Sequence, residues 1–177
     1  MSVALDSRAH GRRDRRPEQM ILFSIARQAF LIAAEAVKEI RSTDGLAGVV
    51  VEFENSQIPK VRHLIPSGPR GRYVVSGCTH FHLPATRPTL ALMLRQFRAA
   101  VLVDSVERMA EVPAVYPLPL AFSGEERIWY RGLAYLDEHI IPVVQPGGFL
   151  TREEFDRLGA AAPATLPEVE PQGSVQP

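Results

Sequence analysis

The chain has a single cysteine among its 177 residues. An internal disulfide is therefore excluded, and a reducing, cytoplasmic interior is the expected setting. Excess charge is lacking as well, since 20 Lys and Arg balance 20 Asp and Glu. A zero balance gives no general pull toward nucleic acid or an acidic membrane surface. No apolar run approaches the roughly 20 residues that span a bilayer, so membrane insertion is not expected. The first residues, MSVALDSRAHGRRDRRPEQ, lack the apolar stretch of a secretory signal. No glycine-rich phosphate loop is present: Gly147 and Gly148 are not followed by Lys-Ser/Thr and read as a turn. No internal repeat of fixed period is visible.

What is there is apolar and broken by proline. The hydrophobic fraction is 46% and there are 15 prolines. That suffices for one domain, or for two small barrels sharing one core. Arg8, Arg12, Arg13, Arg15 and Arg16 sit in a polar leader. Its low hydrophobicity predicts a disordered basic arm over residues 1–18. The Pro- and Ala-rich end predicts a second disordered segment over 159–177. Residues 19–158 are left as the ordered body.

That body opens with MILFSIARQAFLIAAEAVKEIRSTDG, and two readings compete. Ala33, Val37 and Ile40 share a helical face, and Ala, Leu, Glu and Lys favour helix. Alternatively, Met20–Ile25 is a strand-length apolar run, and residues 28–32 form a second strand after a tight turn at Ala26 and Arg27. Periodicity does not choose between them. GVVVEF is β-branched and reads as strand. Pro59, Pro66 and Pro69 then break the chain, so this stretch is a connection or short extended pieces. RYVVS is a short strand. TLALMLRQFRAAVLVDSV places two apolar runs around residues 95–98, and IWYRGLAYLDEHIIPVV places two around Asp137, Glu138 and His139. Both are hairpin patterns. PAVYPLPLAFSGEE is a proline-rich loop. TREEFDRL carries Thr151 and Glu154 at capping-box spacing and opens a short closing helix. The fold class predicted is mainly β with short helices.

Three stretches in order resemble CheW-like domains. VLVDSVERMAEV resembles the strand-and-turn motif in which an apolar strand ends in Val-Asp, here Val103 and Asp104, with Val106 after it. RGLAYLDEHIIPVV resembles the closing hairpin, in which a glycine, here Gly132, opens one strand. MILFSIARQAFLIAAEAVKEI resembles the opening hairpin followed by a short helix ending in Val37, Glu39 and Ile40. In the middle, Arg70 and Gly71 match the family's Arg-Gly loop, although Gly68 and Pro69 replace the usual Asn-Leu and Ser76 replaces the usual Asp. A second register puts Glu54 at the arginine's place. The resemblance covers about residues 19–155. It implies two small five-stranded SH3-like barrels sharing a core. It implies a non-enzymatic, cofactor-free adaptor of a bacterial chemosensory system. The implied partners are the regulatory domain of a CheA-type histidine kinase, the cytoplasmic tip of a chemoreceptor and other CheW-like domains. Arg70, Gly71 and Glu39 are the implied protein-binding residues, and Asp104 and Gly132 the implied structural ones. A CheW-like regulator serving another system is a further reading.

GCTHFHLP, residues 77–84, is the stretch with the most chemistry in it. As a strand it would align Cys78, His80 and His82 on one face. As a helix it would align only Cys78 and His82. Either gives an incomplete ligand set for zinc and no separate base for a thiol nucleophile. A small metal-dependent or thiol enzyme centred on these residues is therefore the runner-up. The preferred expectation makes Cys78 a small buried hydrophobe, Phe81 and Leu83 core contacts, and the histidines surface groups. Asp104, after a strong apolar strand, is expected to hold a turn through side-chain-to-backbone bonds.

Overall fold

The computed structural model describes residues 16–46, 50–52, 57–66 and 71–161. Arg70, Glu54 and most of the expected leader and tail lie outside the described residues. Among the described residues there are twelve strands and three α-helices.

The opening segment is a hairpin. β1 (Glu18–Ile25) and β2 (Gln28–Ala33) pair antiparallel, with Phe23 opposite Phe30. Ala26 and Arg27 have φ of 49° and 64°. Two successive left-handed residues make the turn whose twist matches the flanking strands. After a 3₁₀ turn at Ala34–Ala36, β3 (Val37–Ser42) follows. The expected helix ending at Val37, Glu39 and Ile40 is thus only that turn, and the three residues lie on a strand paired to β7. Then come β4 (Val51–Glu52), β5 (Val61–Ile65), β6 (Arg72–Ser76), α1 (Gly77–His80), β7 (Leu90–Leu94) and β8 (Ala99–Val103). β9 (Ser105–Val112), β10 (Val115–Tyr116), α2 (Glu126–Trp129), β11 (Tyr130–Leu136), β12 (His139–Val144) and α3 (Arg152–Ala161) complete the chain. The proline-rich stretch expected as a loop contains β10. The capping box is formed: Thr151 N–H donates to Glu154 Oε2 at 2.8 Å and Glu154 N–H to Thr151 Oγ1 at 3.3 Å.

The strands form two six-stranded sheets, ordered β10-β11-β12-β2-β1-β9 and β3-β7-β8-β6-β5-β4. Each has five strands of at least five residues and one two-residue edge strand, β10 or β4. Each also contains one parallel pair, β12 with β2 and β6 with β8. Reversing the second order aligns β4-β5-β6-β8-β7-β3 with the first, pair type for pair type. The two sheets are permuted versions of one pattern. The second is a continuous segment from β3 to β8, inserted between β2 and β9 of the first.

Three apolar clusters follow from this. Met20, Leu22, Leu31, Ala134, Ile141 and Val143 fill the first sheet's own interior. Leu46, Ile65, Val74, Ala91, Met93 and Ala100 fill the second's. The largest lies between the sheets and takes Ile21, Phe23, Phe30, Leu92, Val101, Phe81 and Phe149 among others. β1, β7 and β8 are therefore apolar on both faces. That arrangement is two small barrels on a shared core, as the sequence resemblance implies.

Candidate functional site

The seam between the sheets is built around GCTHFHLP. Ser76, extended at ψ 114°, caps α1 by accepting the Thr79 N–H at 3.3 Å. The one-turn helix ends at Phe81, and Leu83 N–H returns to the Cys78 carbonyl at 2.8 Å. Phe81, from the end of the second sheet's third long strand, is thereby driven into aromatic rings of the first. It stacks on Phe30 at 4.8 Å and on Tyr130 at 5.7 Å, and meets Trp129 and Phe149 edge-on, each at 5.8 Å. Burial, with Glu126 nearby, pushes the Tyr130 phenol up to about 12.

The three candidate ligands diverge. His80 is 4% exposed, packed against Phe81, Trp129 and Phe149 at 4.6–5.3 Å. It is a core residue, which corrects the expectation of a surface group. Desolvation, then Lys60 and His82, lower its pKa to about 3, so the ring is neutral. Lys60 Nζ lies 3.5 Å from His80 Nδ1 and bonds Glu154 at 2.7 Å. His82, at φ 54°, turns outward to Glu125 at 3.4 Å and leans on Trp129. Cys78 is half-exposed rather than buried, with Sγ 3.1 Å from Thr86 Oγ1. Sequence spacing brings these side chains close along the chain, and the tight turn then sends each a different way. No grouping of three or more His, Cys, Asp or Glu that could hold a metal is found among the described residues. Cys78→Ala is expected to lower stability by about 1 kcal/mol and to leave partner binding unchanged. Urea unfolding alongside a binding titration checks both. Loss of binding by the folded variant would restore a chemical role to the thiol.

Asp104 stands where the chain crosses from the second sheet to the first. Its Oδ2 accepts the Ala26 N–H at 2.7 Å, its Oδ1 accepts the Thr86 hydroxyl at 2.5 Å, and its carbonyl accepts the Thr89 hydroxyl at 2.6 Å. Ser24 and Ser105 hydroxyls meet beside it at 2.7 Å. The carboxylate pins the β1–β2 turn to the β8–β9 corner. Gly132 is buried at a bulge in β11, where an added Cβ would overlap the Tyr116 carbonyl oxygen of β10. Glycine there permits β10 to approach.

Of the binding candidates, Gly71 has φ 59°, and a Cβ on it would lie 2.9 Å from Leu64 Cδ1. A side chain there would be strained by the positive φ and would press on Leu64. It follows Arg70 in sequence and leads into β6. Glu39 is half-buried on β3, an edge strand of the second sheet, and accepts from Arg41 Nη2 at 2.8 Å. The structure does not bring Glu39 together with Cys78, His80 or His82 through any bond or ring contact.

Two features escaped the sequence reading. Arg72 Nη1 donates to the carbonyls of Leu94, Phe97 and Ala99 at 2.6–3.2 Å and clamps the β7–β8 turn. An arginine opening an apolar strand is the only signal for it. The second is an outward row on the first sheet. Tyr116 pairs with Leu133 and Leu133 with Pro142, while Tyr135 pairs with Ile140. Tyr116 is 59% exposed, Tyr135 58% and Ile140 70%. These apolar side chains thus lie open and side by side across three strands.

No protein-family model matches the chain, and no curated protein matches it. Among solved structures, the scaffolding protein CheW from Thermoanaerobacter tengcongensis superposes with a TM-score of 0.60 at 15% identity. The match covers 73% of this chain and 89% of that one. Paired barrels, a shared core and this superposition together show that the chain has the CheW-like fold.

Proposed function

We propose that the protein is a non-enzymatic scaffold of a bacterial chemosensory system, coupling receptors to a CheA-type histidine kinase. The observation that carries this reading is the two-barrel architecture shared with a scaffolding protein. The exposed row of Tyr116, Tyr135 and Ile140 supports it, because a scaffold needs open contact surface. The Cys78, His80 and His82 set, the seat of the rival enzyme reading, is spent on packing and separate local bonds.

Within this reading the loop between β5 and β6 is a contact surface, with Arg70 as its charged group. Gly71 turns the chain at positive φ, and Pro66 restricts the approach. An arginine can bind a carboxylate through two hydrogen bonds. Glu39 is the second contact group, on the edge strand β3. Arg70→Glu is expected to keep the melting temperature and to cost about 2 kcal/mol of association, near thirtyfold, by setting like charges face to face. The measurement is a titration against the kinase regulatory domain and the receptor tip from the same organism. Wild-type affinity in the variant would overturn the assignment of Arg70. Failure of the wild-type protein to bind either partner would overturn the scaffold reading itself.

A further inference from the structure

A cavity of about 270 Å³ opens on the second sheet, between β5, α1 and the segment before β7. Lys60, Arg62 and His63 line it from one side and Ser76 from the other. Strand alternation would send Arg62 and His63 to opposite faces. A bulge between Val61 and His63 breaks that alternation, and both reach the same space. The Arg62 guanidinium-bearing chain and the His63 imidazole thus reach one hollow.

Donors remain available in it. Ser76 Oγ accepts from both the Thr79 N–H and the Thr79 hydroxyl, at 3.3 and 3.0 Å. Its own proton is left to donate. Lys60 lines the wall, but its ammonium is turned away to Glu154 at 2.7 Å and His80 at 3.5 Å, which line the neighbouring hollow. Of the carboxylates bonded to lining residues, Glu154 is held by Lys60, and Asp104 by the Ala26 N–H and the Thr86 hydroxyl. Val74 and Leu102 supply an apolar wall.

We propose that this cavity binds a phosphate group, with Arg62, His63 and the Ser76 hydroxyl as its donors. Arginine beside hydroxyl donors is a usual partner of phosphate oxygens. The group is either free phosphate or the phosphoryl end of a small ester, whose organic part would lie on Val74 and Leu102. The site stands apart from the scaffold reading: partner binding can fail while phosphate binds, and the reverse.

The test is NMR titration of the full chain with inorganic phosphate and with ethyl phosphate, using chloride at matched ionic strength as the control. Saturable shifts at the Ser76 and Gly77 amides are expected with phosphate and not with chloride. Arg62→Gln, at an exposed position, is expected to weaken binding about tenfold, the loss of one charge-assisted bond. His63→Gln is the second variant should the first fold poorly. Tighter binding of ethyl phosphate assigns an organic phosphate, and equal affinities assign free phosphate. Absence of saturable shifts with both ligands, or shifts unchanged in the variants, would overturn the site.

Discussion

Phe81→Ala is expected to destabilise the protein by about 3–5 kcal/mol, the range for removing a buried phenyl ring. Phe81 is 5% exposed and touches rings from both barrels' seam: Phe30 on β2, Tyr130 on β11, Trp129 on α2 and Phe149 beyond β12. It is the side chain by which the inserted second sheet enters the aromatic cluster of the first. Those rings are held by three separate segments, so they cannot all move to fill the space. A cavity remains, and its cost adds to the lost transfer energy. For a chain of this size each kcal/mol lowers the melting temperature by about 2–4 °C, so a fall of roughly 10 °C is expected. Urea unfolding and a thermal melt measure it. A loss below about 1 kcal/mol would show that the seam collapses freely and that GCTHFHLP is not what joins the barrels.

How much of this was legible in the sequence depends on burial. The hairpins at β7–β8 and β11–β12 were readable because polar turns separate their apolar runs. The opening hairpin was ambiguous by periodicity because β1 and β2 bury both faces: Met20 and Leu22 fill one barrel while Ile21 and Phe23 fill the shared core. A strand apolar on both sides has no alternation to detect. Its turn, Ala26 and Arg27, carries neither Asn nor Gly although both residues are left-handed. The short helix ending at Ile40 was implied by the family resemblance, and a helical face was also visible there. Ala33, Val37 and Ile40 match a helical face, but β-branched Val37 and Ile40 pair instead with Leu94 and Leu92 on β7. Sheet order was not legible at all. The pairs β12 with β2 and β1 with β9 join residues far apart in sequence, and no local pattern records them.

The site shows the same limit. Asp104 was expected to hold a turn by side-chain-to-backbone bonds, and its Oδ2 accepts the Ala26 N–H. Which turn it held could not be read, because Ala26 lies on another hairpin. His80 was misplaced for a physical reason: in a one-turn helix the side before Phe81 faces the core. A histidine carries a polar ring that sequence arguments assign to water. Burial of that ring has a consequence that can be measured.

His80 is expected to make the protein acid-sensitive well above the range in which carboxylates titrate. Its pKa falls from 6.5 to about 3 because the ring is desolvated among Phe81, Trp129 and Phe149, with Lys60 and His82 adding positive charge. The folded state thus refuses a proton that the unfolded state accepts below pH 6.5. Where the unfolded state binds more protons, stability rises with pH. The fold's advantage is therefore complete above pH 6.5 and is lost as pH falls from there toward 3, at up to about 1.4 kcal/mol per pH unit. Between pH 7 and pH 5 the expected loss from this one group is about 2 kcal/mol. Ordinary carboxylates titrate near pH 4, so most of that window belongs to histidine. His80→Phe removes the titrating group and keeps a flat ring in the cluster. Lys60 keeps its bond to Glu154 there and gives up only the 3.5 Å approach to Nδ1. Unfolding free energies from urea titrations at pH 7, 6 and 5, for wild type and variant, give two profiles whose difference isolates His80. The wild-type curve should fall faster by about 2 kcal/mol over the interval. The other histidines cancel in the subtraction, including His82 at the surface beside Glu125. Should His80→Phe fold poorly, the wild-type slope alone decides, since a stability unchanged from pH 7 to pH 5 excludes a buried neutral histidine. Parallel profiles would mean that the ring takes up its proton in the folded state, and the seam would then have to admit water.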